Sequence, residues 1–296
     1  MLNLSVNLAS IQTIVNAEKV YFRHLNVQCN MSWKINWIKN EAFAVKDYKK
    51  HKSQLENPLK FYLALLLKAI PNFWKKPIHF QLRNGGSFNV VDFMTLYIYK
   101  EIFVDGCYDR VELPQYPTII DVGANTGLFS LRMKQLYPHS TIYCFEPLPS
   151  NIEELRRNIN GSHLSNVTII PQGMGGTTRK EKLFIHDHNI GGHSIIASKV
   201  PDSKRYEHIS ILSIKEAFRD LGIVKCNLLK LDCEGAEYEI IKNIDHELSA
   251  QIDEIIFEPE RSLYGIDELI QHLSTLGFTV EDRGICYAYK QHLGTT

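Results

Sequence analysis

The residues best suited to chemistry are glycines and carboxylates that follow short apolar segments. The first group, Asp121-Val122-Gly123-Ala124-Asn125-Thr126-Gly127, follows the predicted strand 118–120 and precedes a helical pattern. Glycines in such a turn let a ligand approach the backbone closely. The dinucleotide fingerprint GxGxxG would rest a pyrophosphate on the helix, but Asn125 replaces its central glycine and Asp121 would repel a phosphate. S-adenosylmethionine (SAM), which carries an ammonium group and no phosphate, fits this turn better.

A second carboxylate, Glu146, ends the second apolar segment and is followed by Pro147. A carboxylate at this place can accept hydrogen bonds from both hydroxyls of a ribose, in NAD sites and in adenosyl-cofactor sites alike. The third apolar segment, 167–170, leads into a loop with Gln172 and Gly173, which we predict to flank the adenine. These positions indicate an adenosine ligand without distinguishing NAD from SAM.

Candidate catalytic groups follow the fourth apolar segment and occupy a glycine-rich loop. Strand alternation directs Lys230 and Asp232 to the same side of the chain. We therefore expect Asp232 and Glu234 beside the cofactor as catalytic or substrate-orienting groups, with Asp232 also contacting the cofactor. His193 is a third candidate, because an unperturbed histidine titrates near neutral pH. Other candidates for a general base are Glu258, His186 and His188. The histidines of this loop match no defined metal spacing, so no metal site is predicted.

These groups need a scaffold that brings strand ends together, and the chain after residue 118 alternates strands with helices. Five nearly continuous apolar strands are predicted at 118–120, 141–145, 167–170, 227–231 and 254–257. Such strands form a parallel sheet that helices cover on both faces, which predicts an α/β fold. Residues 278–280 and 286–289 would add a closing antiparallel hairpin, and residues 183–185 and 208–212 an inserted strand pair.

Charge and composition exclude several classes of protein. Lys+Arg and Asp+Glu both number 33, and apolar residues make up 44% of the chain. The chain is therefore globular rather than disordered, and it has no overall positive field for nucleic acid. The cysteines include no CxxC pair, which predicts reduced thiols in a cytoplasmic protein. Segment 59–70 is too short and too charged to span a membrane, and the N-terminus lacks a signal-peptide pattern.

Residues 1–76 differ from the rest and are predicted to form a helical extension of a domain that covers residues 77–296. The extension contains Trp33, Trp37 and Trp74 and has no glycine. Three roles remain open for it: a lid over the donor, a substrate contact, or a contact in a homodimer. A hairpin with a glycine turn at 78–90 and an apolar helix at about 93–103 are predicted to follow.

Three sequence blocks resemble the FkbM-type SAM-dependent methyltransferases. The blocks are IIDVGANTGLFS, CFEPLPSNIEELRRNI and LLKLDCEGAEYEIIKN, and the similarity extends over residues 78–289. The resemblance implies the class I methyltransferase fold, a Rossmann-like and mostly parallel seven-stranded sheet with a C-terminal antiparallel hairpin. It also implies that residues 121–127 hold the methionine part of SAM, that Glu146 holds the ribose and that Asp232 lies near the reacting centre. The blocks depart from the family's pattern at Cys233, where one small apolar side chain replaces another.

The resemblance further implies O-methylation, on a hydroxyl or carboxylate of a small molecule, a sugar, or a peptide or polyketide natural product. Methyl transfer is an in-line displacement, so alignment supplies much of the catalysis, and a general base is needed only for a hydroxyl acceptor. The expected partner is such an acceptor and not a nucleic acid. N-methylation and a non-catalytic SAM-binding module are the alternatives, and Asp121 with Asn125 disfavours an NAD-dependent oxidoreductase.

Overall fold

The structure, a computed structural model, describes residues 45–69, 73–185, 193–196, 205–261 and 263–290. The chain divides into two compact units, residues 1–49 and 50–296, and every feature of the site discussed below belongs to the second. The sequence features that lie outside the described residues are Trp33, Trp37, His186, His188, Gly191 and Gly192. The role of residues 1–76 as a lid, a substrate contact or a dimer contact stays a prediction.

The elements of the described residues are as follows. The strands, in chain order, are β1 (Ile78–Gln81), β2 (Ser87–Val90), β3 (Thr118–Val122), β4 (Thr141–Phe145), β5 (Val167–Ile170), β6 (Gly173–Gly175), β7 (Arg179–Phe184), β8 (Tyr206–Ser213), β9 (Cys226–Leu231), β10 (Ile252–Phe257), β11 (Thr279–Arg283) and β12 (Ile285–Tyr289). The α-helices are α1 (Val45–Gln54), α2 (Leu59–Ala69), α3 (Phe93–Tyr99), α4 (Leu128–Leu136), α5 (Pro149–Gly161), α6 (Ile214–Asp220), α7 (Glu237–Lys242), α8 (His246–Ala250) and α9 (Ile266–Thr275). A π-helical segment, Lys100–Asp105, continues α3. Within these described elements, none of the helices has the length and apolarity that a membrane span needs.

A seven-stranded sheet forms the centre of the fold, in the order β11-β12-β10-β9-β3-β4-β5. Neighbours among β3, β4, β5, β9 and β10 pair in parallel, and β12 runs antiparallel to both β10 and β11. The predicted α/β fold, with its mostly parallel sheet and C-terminal hairpin, is thereby confirmed. The chain passes from β3 to β4 and β5 on one side and later adds β9 and β10 on the other. The topological switch point therefore lies between β3 and β9, where an open α/β sheet forms its ligand crevice.

The central strands are buried on both faces, which explains why the sequence shows them as continuous apolar runs. Ile119, Ile120, Leu228 and Leu229 are 0% exposed. Each fully buried side chain of this kind stabilises the fold by roughly 1.5–3 kcal/mol relative to its exposed state. Residues at the ends of these strands are consequently held in fixed positions along one edge of the sheet.

A smaller three-stranded sheet, in the order β6-β8-β7, fills the interval between β5 and β9. The predicted inserted pair is confirmed by the antiparallel pairing of β7 with β8, which extends further than predicted. The residues predicted as a loop after β5 contain a strand instead: β6 pairs in parallel with β8. The side chain of Met174 in β6 is only 2% exposed, and its burial stabilises this short strand in spite of the flanking glycines.

The predicted helix at 93–103 changes its geometry after Tyr99, where the π-helical segment begins. Asp92 caps the start of α3, since its side chain accepts a hydrogen bond from the Thr95 amide at 2.9 Å. Gly106 ends the π-helical segment with a φ of 65°. Segments of this kind are rare and are often found at functional sites. Here the segment carries Glu101, which lines one of the two clefts described below.

Candidate active site

The turn between β3 and α4 packs tightly against the chain that follows β9. Gly123 has a φ of 76°, and a Cβ atom on it would lie 1.9 Å from the carbonyl oxygen of Asp232. Only glycine can therefore occupy this position. The amides of Gly123 and Ala124 both donate to the carbonyl of Phe145 at 3.0 Å. The turn is thus fixed by β4 on one side and by the chain after β9 on the other.

Asp121 and Lys230 form a buried ion pair next to this turn. Their side chains are 0% and 3% exposed, and Lys230 Nζ lies 3.0 Å from Asp121 Oδ1. Ser130 Oγ donates to Asp121 Oδ2 at 2.8 Å. The sequence predicted that Asp121 attracts the ammonium group of a ligand, whereas in the structure its carboxylate is balanced inside the protein. The reason is the strand register, because Asp121 and Lys230 are partners on adjacent parallel strands.

Lys230 also reaches Asp232, as strand alternation predicted. The distance from Lys230 Nζ to Asp232 Oδ2 is 3.6 Å, and Nζ donates to the carbonyl of Gly123 at 3.0 Å. Burial lowers the pKa of Lys230, but the charges of Asp121 and Asp232 outweigh this effect and hold the pKa above its ordinary value. Lys230 therefore stays charged and links β3, the turn and the first residue after β9.

Glu146 is a buried carboxylate directly after β4. Its Oε2 atom accepts a hydrogen bond from the Asn125 amide at 2.9 Å. Its Oε1 atom accepts from the Leu148 amide at 2.9 Å and from the Asn151 side chain at 3.4 Å. Burial raises the pKa of Glu146 to about 7, against the lowering effect of these hydrogen bonds. A carboxylate offers about four acceptor sites, so Glu146 can accept a further hydroxyl donor from a ligand.

A first cleft is lined by most of the predicted cofactor residues. Those that line it are Val122, Gly123, Asn125, Glu146, Pro147, Gly173 and Asp232. The segment between β5 and β9 adds apolar residues to this lining: Met174, Leu183, Ile195, Ile209 and Ile211. The sequence patterns indicated the polar residues and missed the apolar ones, because strands β7 and β8 belong to an insertion outside the repeated strand-helix pattern. Gln172 and Gly127 are not among the lining residues of this cleft or of the second one.

A second cleft, of about 390 Å³, shares a wall with the first. Four residues line both clefts: Gly123, Asn125, Asp232 and Glu234. The predicted residues Ala124 and Thr126 line only the second cleft. Its other polar and aromatic lining comprises Tyr97, Glu101, Cys107, Tyr108, Phe129, Lys230, Glu258 and Arg283. Ligands bound in the two clefts would therefore meet at the shared wall.

Carboxylates dominate the electrostatics of the second cleft. Burial raises the pKa of Glu101 to about 7, opposed by a hydrogen bond with Tyr97 and supported by the charge of Asp232. Neighbouring protein atoms partly desolvate Glu258. This desolvation, together with the charges of Asp232, Glu101 and Glu234, raises the pKa of Glu258 to about 8. The negative charges that act on one another here would also repel an anion, so the cleft is a poor site for an anionic ligand.

The structure places the three predicted catalytic residues around the clefts. Asp232 and Glu234 lie on the shared wall, and His193 lines the first cleft. Ser194 Oγ donates to the Glu234 carbonyl at 2.6 Å, which ties the histidine's loop to the chain after β9. Sequence reasoning missed Glu101, although an acidic residue in the mostly apolar run FMTLYIYKEIF could have indicated it. The described part of the chain contains no group of three side chains suited to holding a metal ion.

Comparison with known proteins assigns the chain to a family. The profile of the Methyltransferase FkbM domain matches residues 121–280. Methyltransferase sdnD of Sordaria araneosa is 33% identical over 194 residues, which cover 55% of this chain and 73% of that protein. The 31-O-demethyl-FK506 methyltransferase FkbM of Streptomyces tacrolimicus is 27% identical over 213 residues, which cover 62% of this chain and 82% of that protein. The crystal structure of methyltransferase FkbM from Methylobacillus flagellatus KT aligns with a TM-score of 0.45 at 14% identity, over 87% of this chain and 60% of that one. The chain therefore belongs to the FkbM family of SAM-dependent methyltransferases.

Proposed function

We propose that this SAM-dependent methyltransferase transfers the methyl group to oxygen, on a hydroxyl or carboxylate of a small molecule, a sugar, or a peptide or polyketide natural product. The observation that carries the proposal is the wall shared by the two clefts. A donor in the first cleft and an acceptor in the second would be in contact there. The relative named 31-O-demethyl-FK506 methyltransferase supports oxygen as the acceptor atom.

The residues of the first cleft suit SAM as the donor. Glu146 would accept a hydrogen bond from a ribose hydroxyl at its remaining acceptor position, and the apolar residues around Met174 would cover the adenine. Gly123 keeps the backbone of the turn open to the methionine part of SAM. The Asp232 side chain, which is 38% exposed, offers the ammonium group a carboxylate that the buried Asp121 does not. When bound, SAM supplies an electrophilic methyl group on a positively charged sulfur.

Positioning is the main contribution of the protein to such a transfer. The turn at Gly123 and the chain at Asp232 hold each other in place by close packing, and the buried Lys230 links both. Rigid elements of this kind hold two ligands at a fixed distance and keep water away from them. Alignment of two reactants in this way can lower a barrier by roughly 7–11 kcal/mol.

The carboxylates of the second cleft favour a hydroxyl acceptor over an amine. Nearby negative charges raise the pKa of a bound ammonium group, so the nitrogen stays protonated and lacks the lone pair that attacks a methyl group. A hydroxyl keeps its lone pairs and needs only a base. The same charges disfavour a carboxylate acceptor by repulsion, which makes a hydroxyl the favoured acceptor within this proposal.

Transfer of label from [methyl-³H]SAM to a panel of hydroxyl, carboxyl and amine acceptors tests the proposal. We expect label on hydroxyl acceptors, and isothermal titration should show SAM binding that is at least about tenfold weaker in Glu146→Gln, which has lost the charge facing the ribose. Glu153→Gln, on the exposed face of α5, is the matched control and should bind SAM normally. Label on amines alone would contradict transfer to oxygen. Tight SAM binding without transfer to any acceptor would support the non-catalytic alternative.

A further inference from the structure

We propose that Glu258 is the general base of the transfer and that the acceptor presents a neutral hydroxyl group to it in the second cleft. This inference rests on the transfer to oxygen proposed above. Glu258 follows β10, and its amide donates to the Leu231 carbonyl at 3.0 Å, which extends the pairing of β10 with β9. The Asp232 amide likewise donates to the Val122 carbonyl at 3.2 Å. Glu258 and Asp232 therefore stand on neighbouring strands at the same edge of the sheet.

The other carboxylates of the second cleft are engaged by the protein. Asp232 lies 3.6 Å from the buried lysine of β9, and Glu101 has a hydrogen bond with a tyrosine of α3. Glu234, whose backbone has a φ of 56°, also interacts with other groups of the chain. The Glu258 side chain has neither a hydrogen bond nor an ion pair within the part of the chain that the structure describes. It is exposed and lines the cleft, so its oxygens can accept a proton from a bound acceptor.

The proposed step is balanced in atoms and charge. The acceptor hydroxyl gives its proton to the Glu258 carboxylate, which becomes a neutral carboxylic acid. The oxygen lone pair forms the new bond to the methyl carbon, and the electrons of the broken carbon–sulfur bond stay on sulfur. The products are a methyl ether and neutral S-adenosylhomocysteine, and Glu258 later returns its proton to water. A positioned base of this kind accelerates a reaction by about 10² to 10⁴.

The surroundings of Glu258 make it basic enough for this role. Glu258 is open to the cleft but partly shielded from water by its walls; this desolvation and then the negative charges of Asp232, Glu101 and Glu234 raise its pKa to about 8, while Lys230 opposes them. A general base is most effective when its pKa lies near the working pH. The other titratable and charged residues that line the cleft are Tyr97, Cys107, Tyr108 and Arg283. Arg283 lies 2.7 Å from Glu281 in an ion pair.

Glu258→Gln and Glu254→Gln form a matched pair for the test. Glu254 lies on β10 as well, its pKa is also raised by burial, to about 7, and it is not among the lining residues of either cleft. With a hydroxyl acceptor from the panel, E258Q should lower kcat by about 10² to 10⁴ without changing the Kd for SAM, and E254Q should leave both unchanged. The wild-type kcat should rise with pH, with its midpoint near pH 8, and level off about one pH unit higher, because the base acts in its ionised form. E258Q should lose this rise.

Carboxyl-carbon NMR of the protein labelled with ¹³C-glutamate, in the presence of S-adenosylhomocysteine, tests the same residue without an acceptor. We expect a signal that titrates near pH 8, is missing in E258Q and persists in E254Q. The lack of such a signal in the wild type would overturn the proposal, as would an E258Q variant that methylates hydroxyls within about threefold of the wild-type kcat. If only amines in the panel became labelled, the proposed transfer to oxygen would be wrong. The assignment of Glu258 as its base would then fail with it.

Discussion

Replacement of Lys230 by methionine would remove the cation that Asp121 and Asp232 share. Lys230 is 3% exposed and lies 3.0 Å from Asp121 and 3.6 Å from Asp232. Removal of one partner of a buried ion pair costs about 3–5 kcal/mol, because it leaves a buried charge without compensation. This loss is a large part of the roughly 5–15 kcal/mol by which a typical protein is stable. At about 2–4 °C per kcal/mol, Lys230→Met should lower the Tm by roughly 6–20 °C.

A double variant separates the lost charge from the lost packing. Asp121→Asn keeps an acceptor for Ser130 Oγ, and Lys230 keeps Asp232 as its partner, so this single exchange should cost less than Lys230→Met. In the double variant the interior next to β3 contains no unpaired charge. We therefore expect it to recover at least about 2 kcal/mol of the free energy of unfolding that Lys230→Met alone loses.

Urea unfolding followed by circular dichroism measures these free energies. Lys225→Met is the matched control, since Lys225 pairs with Asp253 just before the same strand but with side chains 49% and 21% exposed. An exposed pair contributes only about 0–1 kcal/mol, so this variant should remain close to the wild type. The reasoning would be refuted if Lys230→Met and Lys225→Met cost the same, or if the double variant lost as much as the two single variants together.

Further predictions concern the binding of SAM. Affinity should be about tenfold lower at pH 6 than at pH 8, because in the proposed site a ribose hydroxyl donates to the ionised form of Glu146, whose pKa burial raises to about 7. Isothermal titration should show this change in the wild type and not in Glu146→Gln; an equal change in both would contradict it. Gly123→Ala should abolish SAM binding, because its Cβ would lie 1.9 Å from the Asp232 carbonyl. Gly222→Ala, with a φ of 63° and no atom within 4 Å of the added carbon, should cost only about 1–2 kcal/mol and keep binding. Normal SAM binding by Gly123→Ala, measured in the same titration, would contradict the role of the turn.

The strands that carry the site were predictable because they are buried on both faces. Residues such as Ile119 and Leu228 have no exposed surface, so their segments must be apolar throughout, and this continuity is visible in a single sequence. The glycine turn was predictable for a related reason. At Gly123 the backbone has a left-handed conformation and no room for a side chain. Because glycine is the residue that tolerates both conditions, its presence in the sequence indicates a tight turn.

Features that depend on contacts between distant segments were not predictable. The pattern around Asp121 does not show that Lys230 neutralises it, since the two residues meet only through the register of β3 with β9. The change from α3 to a π-helical segment after Tyr99 likewise has no clear sequence signal. Strand β6 was missed because a three-residue strand between glycines is stabilised by its partner β8 and not by its own propensity.

The amino-acid sequence alone was enough to identify the family, the strands of the central sheet, and the residue types at the turn after β3 and at the end of β4. These features are local, because each depends on the burial of one segment or on the backbone freedom of one residue. Which carboxylates line the second cleft, and which one is buried in an ion pair, depends on the tertiary structure. Glu101, Asp232 and Glu258 belong to three separate segments that line one cleft. Their charges act on one another only because the fold places the π-helical segment and the ends of β9 and β10 around the same cleft.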